Sequence, residues 1–133
     1  METIYNSKYF EILHDEVNSI FESHWRDTSH ITPDIFKQEM FEYVALSKKH
    51  LPKNYLTDST FTITIELQEW VAVHVFPHTM HPSVEKFALI LPKDFFAQIS
   101  LEQTIDIGEN IIGSVPTRYF DLYEEALAWI LKK

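Results

Sequence analysis

The sequence predicts an α/β domain built on a mixed sheet, and three stretches carry that reading. Phe87-Ala88-Leu89-Ile90-Leu91 has no polar residue, so a strand there needs cover on both faces, as in the middle of a sheet. Thr32-Pro33-Asp34 opens a segment whose apolar residues recur at helical spacing. Residues 8–14 and 19–25 are β-favouring runs separated only by a polar turn, which is the pattern of an antiparallel hairpin.

In the first of those runs Phe10 and Ile12 fall on one face. The turn Asp15-Glu16-Val17-Asn18 leads into the second run, which ends at Trp25. At the helix start the Thr32 hydroxyl caps, Pro33 suits the first helical position and Asp34 favours the positive end of the dipole. The helix extends to about His50, burying Phe36, Met40, Val44 and Ser47 while Lys37, Glu42 and Lys48 face water; Pro52 ends it. Asn54-Tyr55-Leu56-Thr57-Asp58 reads as a buried strand, and Thr64 caps a second helix carrying Leu67, Trp70, Val71 and His74.

After the central strand a helix starts at Asp94, with a break near Ser100, where Ser100-Leu101-Glu102-Gln103 has the form of a capping box. Residues 108–116 hold both glycines and read as a mobile loop. Arg118-Tyr119-Phe120 is a short last strand. Asp121-Leu122-Tyr123-Glu124 caps a final helix with Leu122, Ala126 and Ile130 as its inward stripe. The expected order is ββαβαβαβα, about five strands, with right-handed crossovers joining the parallel ones.

A chain of 133 residues is one domain's worth, and residues 1–133 are read as a single domain that buries roughly two-thirds of its unfolded surface. With 10 Phe, 6 Tyr and 3 Trp, much of its core must be aromatic. The net charge of −9 repels phosphate backbones, which argues against nucleic acid and anionic membrane as partners. The absence of cysteine excludes disulfides, thiolate nucleophiles and zinc–thiolate clusters. Residues 1–10 lack the apolar centre of a signal peptide, and Phe87–Leu91 is far too short for a membrane span. A cytoplasmic protein without membrane insertion is the expectation.

Two glycines are too few for a P-loop or a Rossmann fingerprint, and no G-x-S-x-G elbow is present. The seven histidines include His74, His78 and His81, spaced so that one continuous helix would present them on one face to a metal ion. Pro77 and Pro82 interrupt such a helix, so solvent-facing histidines at a helix end are favoured over a metal site. No cofactor is expected.

Three local patterns, together with the element order, give the chain a family likeness. They are the opening hairpin ending in Trp25, the strand-to-loop run Tyr55-Leu56-Thr57-Asp58-Ser59-Thr60, and the ending Tyr119-Phe120-Asp121 … Glu124-Glu125-Ala126-Leu127-Ala128-Trp129-Ile130. Over nearly its whole length the chain resembles the SpoIIAA-like branch of the STAS-like proteins. The resemblance implies a non-enzymatic regulatory domain that docks onto a partner protein, here through residues 58–63 and the helix that follows.

In sigma-factor antagonists of that fold the corresponding loop reads Asp-Ser-Ser-Gly, and its second hydroxyl is phosphorylated. Asp58 and Ser59 match, and Thr60 stands at the phosphorylated position. Phe61 replaces the glycine, whose backbone freedom a bulky aromatic lacks. The polar residues Asp58, Ser59 and Thr60 also suit a plain strand-to-helix turn, satisfying loose backbone amides.

The aromatic load opens a second class of function. Trp25, Trp70, Phe76, Phe95, Phe96 and Phe120 offer more rings than a small core needs, and some can line a pocket between sheet and helices. STAS-like folds share their topology with CRAL-TRIO lipid carriers, so a carrier or sensor of a small apolar ligand is the alternative. Homodimerisation through an exposed hairpin edge is a further expectation.

Overall fold

The structure, a computed structural model, describes residues 1–26, 30–58, 64–79, 83–112 and 115–132. Its elements run β1 (Glu2–Asn6), β2 (Phe10–Asp15), β3 (Ile20–Trp25), α1 (Pro33–His50), β4 (Asn54–Asp58), α2 (Ile65–His74), α3 (Phe76–Thr79), β5 (Lys86–Ile90), α4 (Phe95–Ile112), β6 (Thr117–Phe120) and α5 (Tyr123–Leu131). All six strands lie in one sheet in sequence order. β1, β2 and β3 are antiparallel neighbours, and β3, β4, β5 and β6 are parallel. The expected α/β class and mixed sheet hold.

The sheet has one strand more than the sequence pattern suggests. β1 pairs with β2, but its register shifts between Thr3 and Tyr5, so Ile4 and Tyr5 are both half-buried against the core. That irregularity breaks the period-2 alternation by which a strand is recognised. A buried acid on α1 ties the strand down: Glu39 accepts from the Tyr5 hydroxyl at 3.2 Å and from Ser7 Oγ at 2.8 Å. The β2 edge expected to lie open in the hairpin is therefore occupied.

Alternation along the central strands divides the core in two. Phe10, Ile12, Phe21, Trp25, Tyr55, Phe87 and Leu89 form a cluster with residues of α1, α2, α3 and α4. Ile20, Leu56, Ala88 and Ile90 face the other way and meet Ala126 and Ile130 of α5. β5 is thus covered on both faces, as its apolar run requires. Lys86 closes the second layer by donating to the backbone carbonyls of Trp129, at 2.7 Å, and Lys132 at the end of α5.

Thr32 and Thr64 cap α1 and α2 through Oγ1, each accepting at 3.2 Å from Ile35 N and Leu67 N. Asp94 does the same for α4, accepting from Ala97 N at 2.9 Å. α1 closes at Leu51, in the left-handed region with φ 45°, immediately before Pro52.

Two expectations fail on the third crossover. α4 is unbroken at Ser100, which is buried inside it, and it continues through Gly108 to Ile112. Gly108 is a packing residue: a Cβ there would sit 2.0 Å from Cδ2 of Phe76. Glycine marks a close approach between α3 and α4 here, not the mobile loop its helix-breaking reputation suggests. Residues 113 and 114 lie outside the described residues. At α5 the N-cap is Leu122, with no side-chain cap bond and an exposed side chain, so neither the capping run nor its place in the inward stripe holds. Ala126 and Ile130 do face inward.

Candidate functional site

β3 and β4 run side by side to the carboxyl edge of the sheet, with Ser23 opposite Thr57 and His24 opposite Asp58. Ligands of open α/β sheets bind at that edge. The pleat sends the first pair toward α1–α4 and the second pair toward α5, so two features of different chemistry stand back to back.

On the α5 face the feature is a charge cluster. Glu22, only 3% exposed, has its Oε1 2.6 Å from His24 Nε2 and its Oε2 3.0 Å from the donating hydroxyl of Tyr123. His24 Nδ1 lies 3.2 Å from Asp58 Oδ2. Hydrogen bonds to Asp58 and Glu22 outweigh the burial that opposes charge, raising the His24 pKa to about 9. At neutral pH His24 is an imidazolium donating from both nitrogens to carboxylates. Burial, and then the bond to Glu22, pushes the Tyr123 hydroxyl up to about 12, so it stays protonated and donates. The cluster continues to Glu11, opposite His24 in the register, which holds the Arg26 guanidinium at 2.9 Å.

The chemistry of this arrangement is that of a clamp. A histidine fixed as a cation between two carboxylates has no free nitrogen to accept a proton. It joins β3, β4 and, through Glu22 and Tyr123, the first turn of α5.

On the opposite face lies a cavity of about 90 Å³. Its apolar walls come from Trp25, Phe36, Met40, Val71, Phe76 and Leu89 among others, so sheet, α1, α2 and α3 all contribute, with Ile105 supplying the α4 side. The hydroxyls on its wall are turned to other side chains or to backbone, Ser100 Oγ accepting from Gln68 Nε2 at 3.4 Å. Ser23 Oγ and Thr57 Oγ1 are 3.3 Å apart, Thr79 Oγ1 donates to Val75 O at 3.3 Å and Thr104 Oγ1 to Ser100 O at 2.7 Å. What remains facing the cavity is mostly carbon.

Of the residues singled out from sequence, Asp58 lies at the carboxyl end of β4, bonded to His24. Ser59, Thr60 and Phe61 lie outside the described residues, as does His81. His74 ends α2 and His78 sits in α3, so one continuous helix does not carry both; the His74 ring lies 5.2 Å from that of Trp70. Among the described residues no group of three or more histidines and carboxylates is arranged to hold a metal ion. Trp25 and Phe76 line the cavity, Phe120 packs at a tilt against Trp129 on the α5 face, and Phe95 and Phe96 are exposed.

Glu22, His24 and Tyr123 were not singled out. The signal was present in Phe21-Glu22-Ser23-His24-Trp25: two ionisable residues at i and i+2 share one face of a strand otherwise fit for the core. Such residues need partners from elsewhere in the fold. Among the described residues no helix is long and apolar enough to cross a membrane. No protein-family model matches the chain, and no curated protein or solved structure shows significant similarity to it.

Proposed function

We propose that the chain is a non-enzymatic regulatory domain of the STAS-like type, with a small apolar molecule as its input and docking onto a partner protein as its output. The resemblance in sequence supports the family, and the clamped His24 supports a role without catalysis. The observation that carries the reading is the cavity. Its wall includes Thr57, the residue before Asp58, and Val71 of α2, so a bound molecule touches the docking helix and the strand end that leads into the docking loop. Its size favours a compact guest. An apolar cavity of about 150 Å³ holds benzene, so about 90 Å³ suits a molecule no larger than a single ring and is too small for a lipid chain.

Thermal melts of the purified chain with benzene and phenol test this. Occupancy of the folded state raises the melting temperature in proportion to the logarithm of ligand concentration. The rise is expected for at least one of the two and is expected to vanish in Val71→Phe, which fills the cavity. No rise with either of them, together with a chain that leaves native purification empty, removes the small-molecule input. Peptide mapping across residues 54–70 tests the other input: phosphate on Ser59 or Thr60 establishes a covalent switch, and an unmodified chain removes it.

A further inference from the structure

The parallel strands end level with one another. His24, Asp58, Ile90 and Phe120 form one cross-sheet row, and Leu91 N donates to Phe120 O at 2.8 Å just beyond it. α2, α4 and α5 all start from this edge, and each presents a large apolar residue to solvent where it starts. Ile65 is 53% exposed, Phe95 66%, Phe96 69% and Leu122 55%. The Phe95 and Phe96 rings meet edge to face at 5.9 Å, in contact with each other while open to water. Single exposed apolar residues are ordinary, but four along one edge are the composition of an interaction surface.

The charge around them has one sign. Glu66, Asp94, Asp121, Glu124 and Glu125 are exposed at the same helix starts, where they also complement the helix dipoles. The cations nearby are mostly engaged. Among the described residues Arg26 is held by Glu11 and the Ser7 carbonyl, Lys37 lies over the Trp70 ring at 5.5 Å and Arg118 over the Phe120 ring at 5.7 Å, while Lys93 stands among the five acids. A net charge of −9 opposes a second copy of this chain at the same edge. A partner with apolar anchors flanked by lysine or arginine fits both the rings and the field around them.

We propose that this carboxyl edge, centred on Phe95 and Phe96 and including Ile65 and Leu122 at the starts of α2 and α5, is the docking surface for a basic amphipathic segment of a partner protein. The proposal deepens the docking half of the function proposed above and rests on it.

The probe is a synthetic amphipathic peptide of leucine and lysine, about five helical turns long, read by fluorescence anisotropy against the full chain. Its glutamate-for-lysine counterpart is the control. The lysine peptide is expected to bind, the glutamate peptide not to bind. Phe95→Ser with Phe96→Ser is expected to weaken binding at least about tenfold, or about 1.4 kcal/mol. Both side chains are exposed, so the fold survives their loss.

Simple attraction to an acidic protein is separated by two variants of equal net charge. Glu66→Lys with Glu124→Lys alters this edge, and Glu16→Lys with Glu85→Lys alters the opposite one. The first pair is expected to weaken binding far more than the second. Equal weakening, or indifference to the phenylalanines, overturns the proposal. So does sedimentation showing a dimer that Phe95→Ser with Phe96→Ser dissociates, since the occupant is then a second copy. A natural partner whose affinity ignores Phe95 and Phe96 leaves regulatory docking intact and overturns this edge alone.

Discussion

On the face covered by α1 to α4, Phe10, Phe21, Tyr55 and Phe87 present rings to four helices, and the few polar groups among them pair with one another. Ser47 and Tyr55, for example, share a buried hydroxyl–hydroxyl bond, and burial lifts the tyrosine pKa to about 12. On the face covered by α5, a single nine-residue helix meets Ile20, Leu56, Ala88 and Ile90, and the remaining width is bridged by Glu22, His24, Asp58 and Tyr123. The first face draws its stability from apolar area spread over many residues, so a single loss stays local. The second concentrates it in one buried carboxylate whose partners are His24 of β3 and Tyr123 of α5, where losing one partner leaves a charge without compensation.

The largest expected effect follows from that contrast. His24→Ala removes the cation beside Glu22 and is expected to destabilise the fold by about 3–5 kcal/mol in urea unfolding at neutral pH. Thr57→Val, on the other face of the neighbouring strand, is expected to cost about 1 kcal/mol. Equal costs would erase the distinction between the faces.

The pH dependence sharpens it. The folded-state pKa of His24, about 9, lies above its unfolded value near 6.5. The folded state therefore holds a proton that the unfolded state releases between those values. The stability it contributes is fully present below about pH 6.5 and is lost as pH rises through about 9. The lead of the wild type over His24→Gln is expected to shrink across that window, and a constant lead would mean that His24 is not held as a cation.

How far each face was legible in the sequence follows the same division. The α1–α4 face announces itself through Phe36, Met40, Val44 and Ser47 at helical spacing and through threonine caps, because area burial and capping are local rules. β4 and β5 were legible as short apolar runs for the same reason. The clamp was not, because Glu22 and Tyr123 are 101 residues apart and nothing in one strand names the partner its buried acid will find. Of the clamp the sequence points only to Asp58, and of the cavity wall to Trp25 and Phe76. β1 was missed because its bulge hides the alternation, and the length of α4 because Gly108 obeys a packing demand from Phe76 that local propensity does not contain.

Gly108 provides the next effect in size. Gly108→Ala places a methyl group inside the Phe76 ring position, so the ring, α3 or α4 must shift. Overpacking costs about 1–3 kcal/mol, of which roughly 1 is returned by the better helix propensity of alanine. A net loss is expected from the wild-type background and a smaller one, or a gain, when Phe76→Leu is already present. A loss of the same size in both backgrounds would show that the ring contact is not what keeps this position small.

The smallest effect lies at the amino ends of the strands, still on the α1–α4 face, where the His14 and His50 rings are 4.4 Å apart. Burial first, then the neighbouring His14 and Lys49, lowers the His50 pKa, while Glu2 and Glu16 oppose them. A base with a depressed folded-state pKa binds fewer protons folded than unfolded, so stability falls as pH drops below about 6.5 and levels off once His50 is protonated in both states. His50 stands in the last turn of α1, so the strain falls on the junction between that helix and β2. Melting temperatures from about pH 7 to about pH 5 are expected to drop more for the wild type than for His50→Gln. The difference should be smaller than any of the substitution effects above, because this pair sits at the rim of the α1–α4 face, where water and two acids already soften the repulsion. A difference as large as that of His24 would mean that the α1–α4 face, too, depends on a concentrated charge.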